Sequence, residues 1–186
     1  MPESLISLVV THDVPSPVLS SILTVAYEES EKLDSPPALV LLETDTKESL
    51  HHYTTDSVSH PPITSFKSPF LGKGVEDIAD FLFRNSKGSS VSSLEFLVAD
   101  EKTIEDENTL LLLALSSKGK DRDEFYLTSV RIGAQFANHT AVAISVGSGG
   151  IEEIVSLVDS DGVYRGGPPR PPPMKGGAAP RNKLAG

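Results

Sequence analysis

The chain contains no cysteine among its 186 residues. Disulfides, thiolate nucleophiles, zinc–sulfur sites and iron–sulfur clusters are therefore excluded. The redox compartment stays open, because a chain without cysteine fits any of them. Long apolar runs are also missing, and none approaches the roughly twenty residues that a membrane-spanning helix needs. The opening segment MPESLISLVVTHD has an acid at position 3 and too short an apolar stretch for a secretory signal. These absences predict a soluble cytoplasmic protein with no membrane contact.

The third absence is positional. All 26 acidic residues lie before Tyr164, where they face 11 basic ones for a net charge of −15. From Arg165 onward there are five basic residues and no acid. A body this acidic repels phosphates, and the tail cations are few and spread out, so nucleic acid is not an expected partner. The tail RGGPPRPPPMKGGAAPRNKLAG cannot build a packed core. The expected organisation is an acidic α/β domain over residues 1–166 and a disordered, basic, proline- and glycine-rich tail over 167–186.

Within the body, Ser4–Val10 (SLISLVV) reads as a buried strand. Ser16 and Pro17 give a helix start, with the serine as cap, and apolar residues continue at helical spacing to the Asp34-Ser35-Pro36-Pro37 stop. Ala38–Leu42 is a second all-apolar strand, so the two strands should pair in parallel through a right-handed crossover. Residues 44–73 turn polar and read as a surface excursion with one short strand near Ile63–Phe66. Residues 74–84 form an amphipathic helix. Leu94–Ala99 and Thr109–Leu115 are strands around the acidic turn DEKTIEDEN, and Phe125–Ile132 is another. Ala134–Val146 fits a helix or a strand, and IEEIVSLV is a short helix. The fold expected is a central mixed sheet of about five strands with four flanking helices.

Few motifs carry chemistry. SVGSGGIEE lies where phosphates often bind, but it matches neither dinucleotide nor P-loop glycine patterns, and two glutamates already occupy the helix start. Asp159-Ser160-Asp161-Gly162 lacks the flanking acids of a calcium loop and reads as a tight turn. Asn138-His139-Thr140 is a chance glycosylation sequon. His51, His52 and His60 read as solvated loop histidines. His12 and Asp13 end the first strand, at the edge where open α/β sheets place ligands, and form an alternative site. Asp100 and Glu101 follow a strand directly. Arg131 lies within an apolar strand and needs a partner if buried. Arg165 follows the terminal turn. No metal and no cofactor is expected.

The stretches FLVADEKTIEDENTLLLLAL, SVRIGAQFANHTAVAISVGSGGIEEIVSLV and DSDGVYRG resemble an uncharacterised domain family of fungi and some bacteria. That family has a strand ending in Asp-Glu, an LSIANM-FEEF segment and a closing DGVFRG. The resemblance covers roughly residues 94–166. The matching positions are Asp100, Glu101, Asp106, Arg131, Glu152, Glu153, Asp161, Gly162, Tyr164 and Arg165; the chain departs at 147–150. The resemblance implies a fold and no reaction, and groups Asp100, Glu101, Arg131, Asp161 and Arg165 as one polar cluster.

In the tail, Pro168, Pro169, Arg170 and Pro171 follow Arg165 in an Arg-x-x-Pro-x-x-Pro pattern, which a polyproline-binding domain could recognise. If Arg165 belongs to the body, the pattern loses its first arginine. The leading expectation is a non-enzymatic protein-interaction module with a proline-rich arm as second contact. The alternatives are a small-molecule-binding or hydrolytic enzyme with a carboxylate and histidine site at the strand ends, and a self-associating homo-oligomer pairing through Phe125–Ile132.

Overall fold

The computed structural model describes residues 4–117 and 125–167. The expected tail, with Pro168, Pro169, Arg170 and Pro171, lies outside the described residues. Strands β1 (Leu5–Val10), β2 (Leu39–Leu41), β3 (Val91–Ala99), β4 (Thr109–Ser117), β5 (Phe125–Gly133) and β6 (Val163–Tyr164) form one six-stranded sheet. Their order is β2-β1-β3-β4-β5-β6. Only β4 runs against the others, so the sheet is mixed, and β1 and β2 are parallel as expected.

Helices α1 (Ser16–Lys32) and α5 (Ala134–Ser145) cover one face of the sheet, α3 (Val75–Asn85) the other. Ile6, Leu8 and Val10 of β1 pack with Leu19 and Ile22 of α1 and with Ala137 and Ala141 of α5. Leu5 and Val9, on the opposite side of the same strand, pack with Phe70 and with Ile78 and Leu82 of α3. A strand buried on both faces is apolar at nearly every position instead of alternating, which is why only the buried Ser7 interrupts LISLVV.

Several local expectations are revised. The sixth strand, β6, lies inside DGVYRG and is only two residues long, too short for a periodic signal. Pro15, not Ser16, caps α1, because its carbonyl accepts from the amides of Val18 and Leu19. No strand forms at Ile63–Phe66; the Ile63 amide donates instead to Ser20 Oγ on α1. The acidic turn after β3 is a short helix, α4 (Glu101–Asp106). A reciprocal cap starts it: Asp100 accepts from the Thr103 amide, and Thr103 Oγ1 accepts from the Asp100 amide. Lys47–Leu50 adds a further short helix, α2, and α6 covers Ile151–Ser156. The segment 134–146 resolves as helix.

The polar excursion is less exposed than its composition suggests. Leu50 and Phe70 are buried against the α3 side, while Ile63 and Phe66 pack on the α1 side. The segment thus wraps the β2 edge. Ser59 satisfies that edge directly, donating its amide to the Leu39 carbonyl and accepting from the Leu41 amide on its hydroxyl. A strand edge covered in this way cannot template another chain.

Candidate functional site

Five parallel strands end along one edge of the sheet. Asp100 stands at the end of β3, Arg131 two residues before the end of β5, and Arg165 just past β6. The five residues grouped by resemblance come apart here into two ion-pair systems and one surface residue.

Asp100 and Arg131 form the first system. Arg131 faces Leu111 of β4 in register, so its guanidinium must reach across β4 to meet β3. Nη1 donates to Asp100 Oδ1 at 2.9 Å, and Nη2 to Oδ2. The side chains are only 14% and 21% exposed. Burial pushes the Asp100 pKa up, but the Arg131 guanidinium and the Thr103 amide and hydroxyl outweigh it, and the net shift is downward. Asp100 is thereby held ionised, with both oxygens engaged.

Arg165 forms the second system with Asp159 and Asp161. Its Nη1 donates to Asp159 Oδ2 at 3.0 Å and Asp161 Oδ1 at 2.9 Å, and its Nη2 to Asp161 Oδ2 at 2.7 Å. The Arg165 hydrogen bond holds the Asp161 carboxyl down at about 2. Every residue of the closing motif has a structural task. Asp161 also accepts from the Val163 amide, and Gly162 turns the chain at φ +78°. Val163 pairs with Arg131, and Tyr164 meets Phe136 edge-on at 6.2 Å. Gly166 passes so close to Phe136 that a β-carbon would lie 2.5 Å from the ring.

Glu101 is exposed in the first turn of α4. His12 and Asp13 are exposed after β1, with the Thr11 hydroxyl 3.1 Å from His12 Nδ1. No hydrogen bond or ion pair joins His12 or Asp13 to Asp100 or Glu101 among the described residues. His51, His52 and His60 are exposed as well. Among the described residues no group of three or more histidine or acidic side chains could hold a metal ion. No helix among them is long and apolar enough to cross a membrane. In the glycine loop, β-carbons on Gly149 and Gly150 would lie 3.5 Å from Glu153 Oε2 and 3.0 Å from Glu152 Oε2. The loop is thus lined by the carboxylates of Glu152 and Glu153, which repel a phosphate.

The sequon asparagine is wholly buried. Asn138 Oδ1 accepts from the Ala38 amide, while Nδ2 donates to Ser30 Oγ and to the Pro36 carbonyl, all at 2.9 Å. Its amide ties α5 to the end of α1 and to the start of β2.

A further concavity lies elsewhere, beside the second half of α1, and is an open groove of about 830 Å³. It is lined by Tyr27, Glu28 and Glu31 of α1, by Asp34 and Pro36 of the turn after it, and by Pro61 of the excursion. Tyr27 anchors the floor by donating to the carbonyls of Leu39 and Ser59, and burial drives its pKa strongly upward. His60 stands with its ring 6.0 Å from that of Tyr27. None of the three groove carboxylates is in an ion pair among the described residues. Lys32, one residue beyond Glu31, pairs with Glu29 at 2.8 Å and also feels the charge of Glu28. Sequence reasoning missed this groove. Its one local signal is acids at positions 28 and 31, three apart on the helix, with a third at Asp34 in the turn after it, followed by two prolines.

No curated protein and no solved structure matches the chain. A family model described as a domain of unknown function, DUF6924, matches residues 47–167, from α2 through the end of the closing motif, and the chain belongs to that family.

Proposed function

We propose that this chain is a non-enzymatic protein-interaction module. Its contact surface is the acidic groove beside α1, and its basic proline-rich arm is a second contact. The observation that carries the reading is the contrast between two sets of carboxylates. Asp100, Asp159 and Asp161 are committed to arginines within the fold, whereas Glu28, Glu31 and Asp34 line an open concavity with no ion pair among the described residues. Unpaired charge around apolar walls of proline and tyrosine suits a basic partner segment, since a surface field steers encounter and the walls supply contact area. The enzyme alternative draws no support from the strand ends. There the Asp100 oxygens are taken, and His12 and Asp13 stand exposed and apart.

The test uses the absence of cysteine. A benzophenone attached to Thr24→Cys in the groove should cross-link a partner that the same probe on Glu105→Cys, on α4, does not. The doubly substituted Glu28→Lys, Glu31→Lys chain should lose that product. Equal products from both probe positions would defeat the reading.

A further inference from the structure

We propose that the outer edge of β5, from Phe125 to Ser129, pairs antiparallel with the same edge of a second copy of this chain. The two edges of the sheet differ. At one, Ser59 covers β2. At the other, β6 pairs only with Arg131 and Ile132 and leaves the earlier part of β5 open. The register shows where the backbone groups of that part point. The Ala134 amide donates to the Asn108 carbonyl, and the β4–β5 register sets these two residues directly opposite each other. Antiparallel pairs alternate between bonded and unbonded. Tyr126, Thr128 and Val130 therefore turn their amides and carbonyls towards β4. Phe125, Leu127 and Ser129 turn theirs outwards, where no backbone group among the described residues meets them. Such a row of open donors and acceptors is a template for another strand.

Self-complementarity selects the second copy as the occupant. With a twofold axis through Leu127, that residue faces itself and Phe125 faces Ser129. Each outward amide then meets an outward carbonyl, three from either edge. An axis at Tyr126 or Thr128 sets Ser129 or Phe125 opposite a residue beyond the open stretch, and two of those bonds are lost. The block at β6 agrees with this register. It fills the space beside Arg131 and Ile132, so an incoming strand has room only as far as Val130. The second copy's β5 begins opposite Ser129, just short of the block. Side chains point the same way. The stretch FYLTS carries no charge in a body of net charge −15, so pairing sets no like charges opposite each other. Phe83, Phe125 and Tyr126, the exposed phenylalanine and tyrosine side chains among the described residues, gather at this corner. Phe125 stacks 4.4 Å from Phe83 and lines with it, Leu115 and Leu127 a hollow of about 360 Å³. The pairing covers about half of the roughly 800 Å² per partner of a standard interface, so the dimer is weak and reversible.

The experiment uses the full chain. Light scattering at rising concentration should show the mass climbing from monomer towards dimer and no further, because a twofold contact closes on itself. Each copy carries a net charge of −10, so the two repel, and salt raised to about 0.5 M should strengthen association by screening that repulsion. Ser129→Pro removes an outward amide that no strand of the same chain uses, so the fold should persist by circular dichroism while dimerisation weakens ten-fold or more. Register is read by mild oxidation, since the chain has no cysteine of its own. Leu127→Cys should close a disulfide across the axis, where the α-carbons stand about 5.5 Å apart. Ser129→Cys should not, because its twin lies four residues further along the paired strand, about 13 Å away. A monomer at every concentration and salt overturns the inference. So does association that weakens with salt, that a folded Ser129→Pro chain retains in full, or that cross-links equally through both cysteine positions.

Discussion

Arg131 of β5 reaches across β4 to hold Asp100 at the end of β3 in a two-pronged ion pair. The pair links two strands that are not neighbours, and Asp100 also caps α4, so one carboxylate fixes a strand end and a helix start together. Removing the carboxylate leaves a largely buried guanidinium unpaired and loses the cap. Asp100→Ala should therefore cost about 3 kcal/mol in urea denaturation at neutral pH. Arg131→Leu should cost less, about 1–2 kcal/mol, because leucine suits the apolar row and Asp100 keeps its Thr103 bonds. The pH dependence has a definite sign. The folded pKa of Asp100 is depressed, so its stabilisation is present above the unfolded value of about 3.9 and is lost as pH falls through the folded one. The gap between the native chain and Arg131→Leu should narrow on acidification; a gap that is constant with pH would remove the pair as a source of stability.

Asn138 makes a second long-range tie. Its side chain bonds to three elements from within a fully buried site. Asn138→Ala strands the Ala38 amide and opens a cavity, which should cost about 3 kcal/mol. For a chain of this length that corresponds to a fall of about 6–12 °C in Tm. Asn138→Asp should be at least as damaging, since a carboxylate cannot donate to Ser30 or to the Pro36 carbonyl. A surface-like response, within half a kilocalorie of the native chain, would refute the assignment. Expression in a glycosylating host should leave the folded chain without sugar at this position, as read by intact mass.

Much of the fold was legible because burial on both faces leaves a nearly continuous apolar signature. LISLVV, ALVLL and TLLLLAL announce their strands directly, and the parallel β1–β2 pair follows from the helix between them. The site was less legible. Arg131 advertises its need for a partner, yet the choice of Asp100 depends on β3 and β5 flanking β4, which no local pattern reveals. Asp159 was read as part of a turn, although it shares Arg165 with Asp161. Glu101, His12 and Asp13 looked promising only because strand ends attract attention. The groove stayed hidden for a different reason. Its walls come from α1, from the turn after it and from the strap at His60–Pro61, segments about thirty residues apart that meet only after the excursion wraps β2.

Glu95 offers a prediction of opposite pH sign. It is 4% exposed, opposite Ala114 in the sheet, and burial raises its pKa against the lowering effect of a Ser92 hydrogen bond. A raised folded pKa means that the stabilisation is complete below the unfolded value and is lost as pH rises through the folded one. Glu95→Gln keeps the shape and removes the charge. It should be more stable than the native chain at pH 8 and lose that advantage at pH 4, read as a difference in urea midpoints. An equal midpoint at both pH values would show that the carboxylate escapes its burial.

Gly166 supplies the strictest steric requirement. It sits at φ +73°, and a β-carbon there would approach Phe136 Cε1 to 2.5 Å and Cζ to 2.8 Å. Backbone strain alone costs roughly 1 kcal/mol for alanine in the left-handed region, and displacing a ring that also packs against Tyr164 adds to it. Gly166→Ala should therefore lose about 2–3 kcal/mol. Two sources of cost can be separated in a double-mutant cycle. With Phe136→Leu as background the clash is relieved while the φ penalty persists, so the glycine change should then cost only about 1 kcal/mol. Additivity of the two substitutions would mean that Phe136 does not enforce the glycine. A sub-additive result would establish that the closing turn of this family's fold is set by the contact of a ring with a backbone.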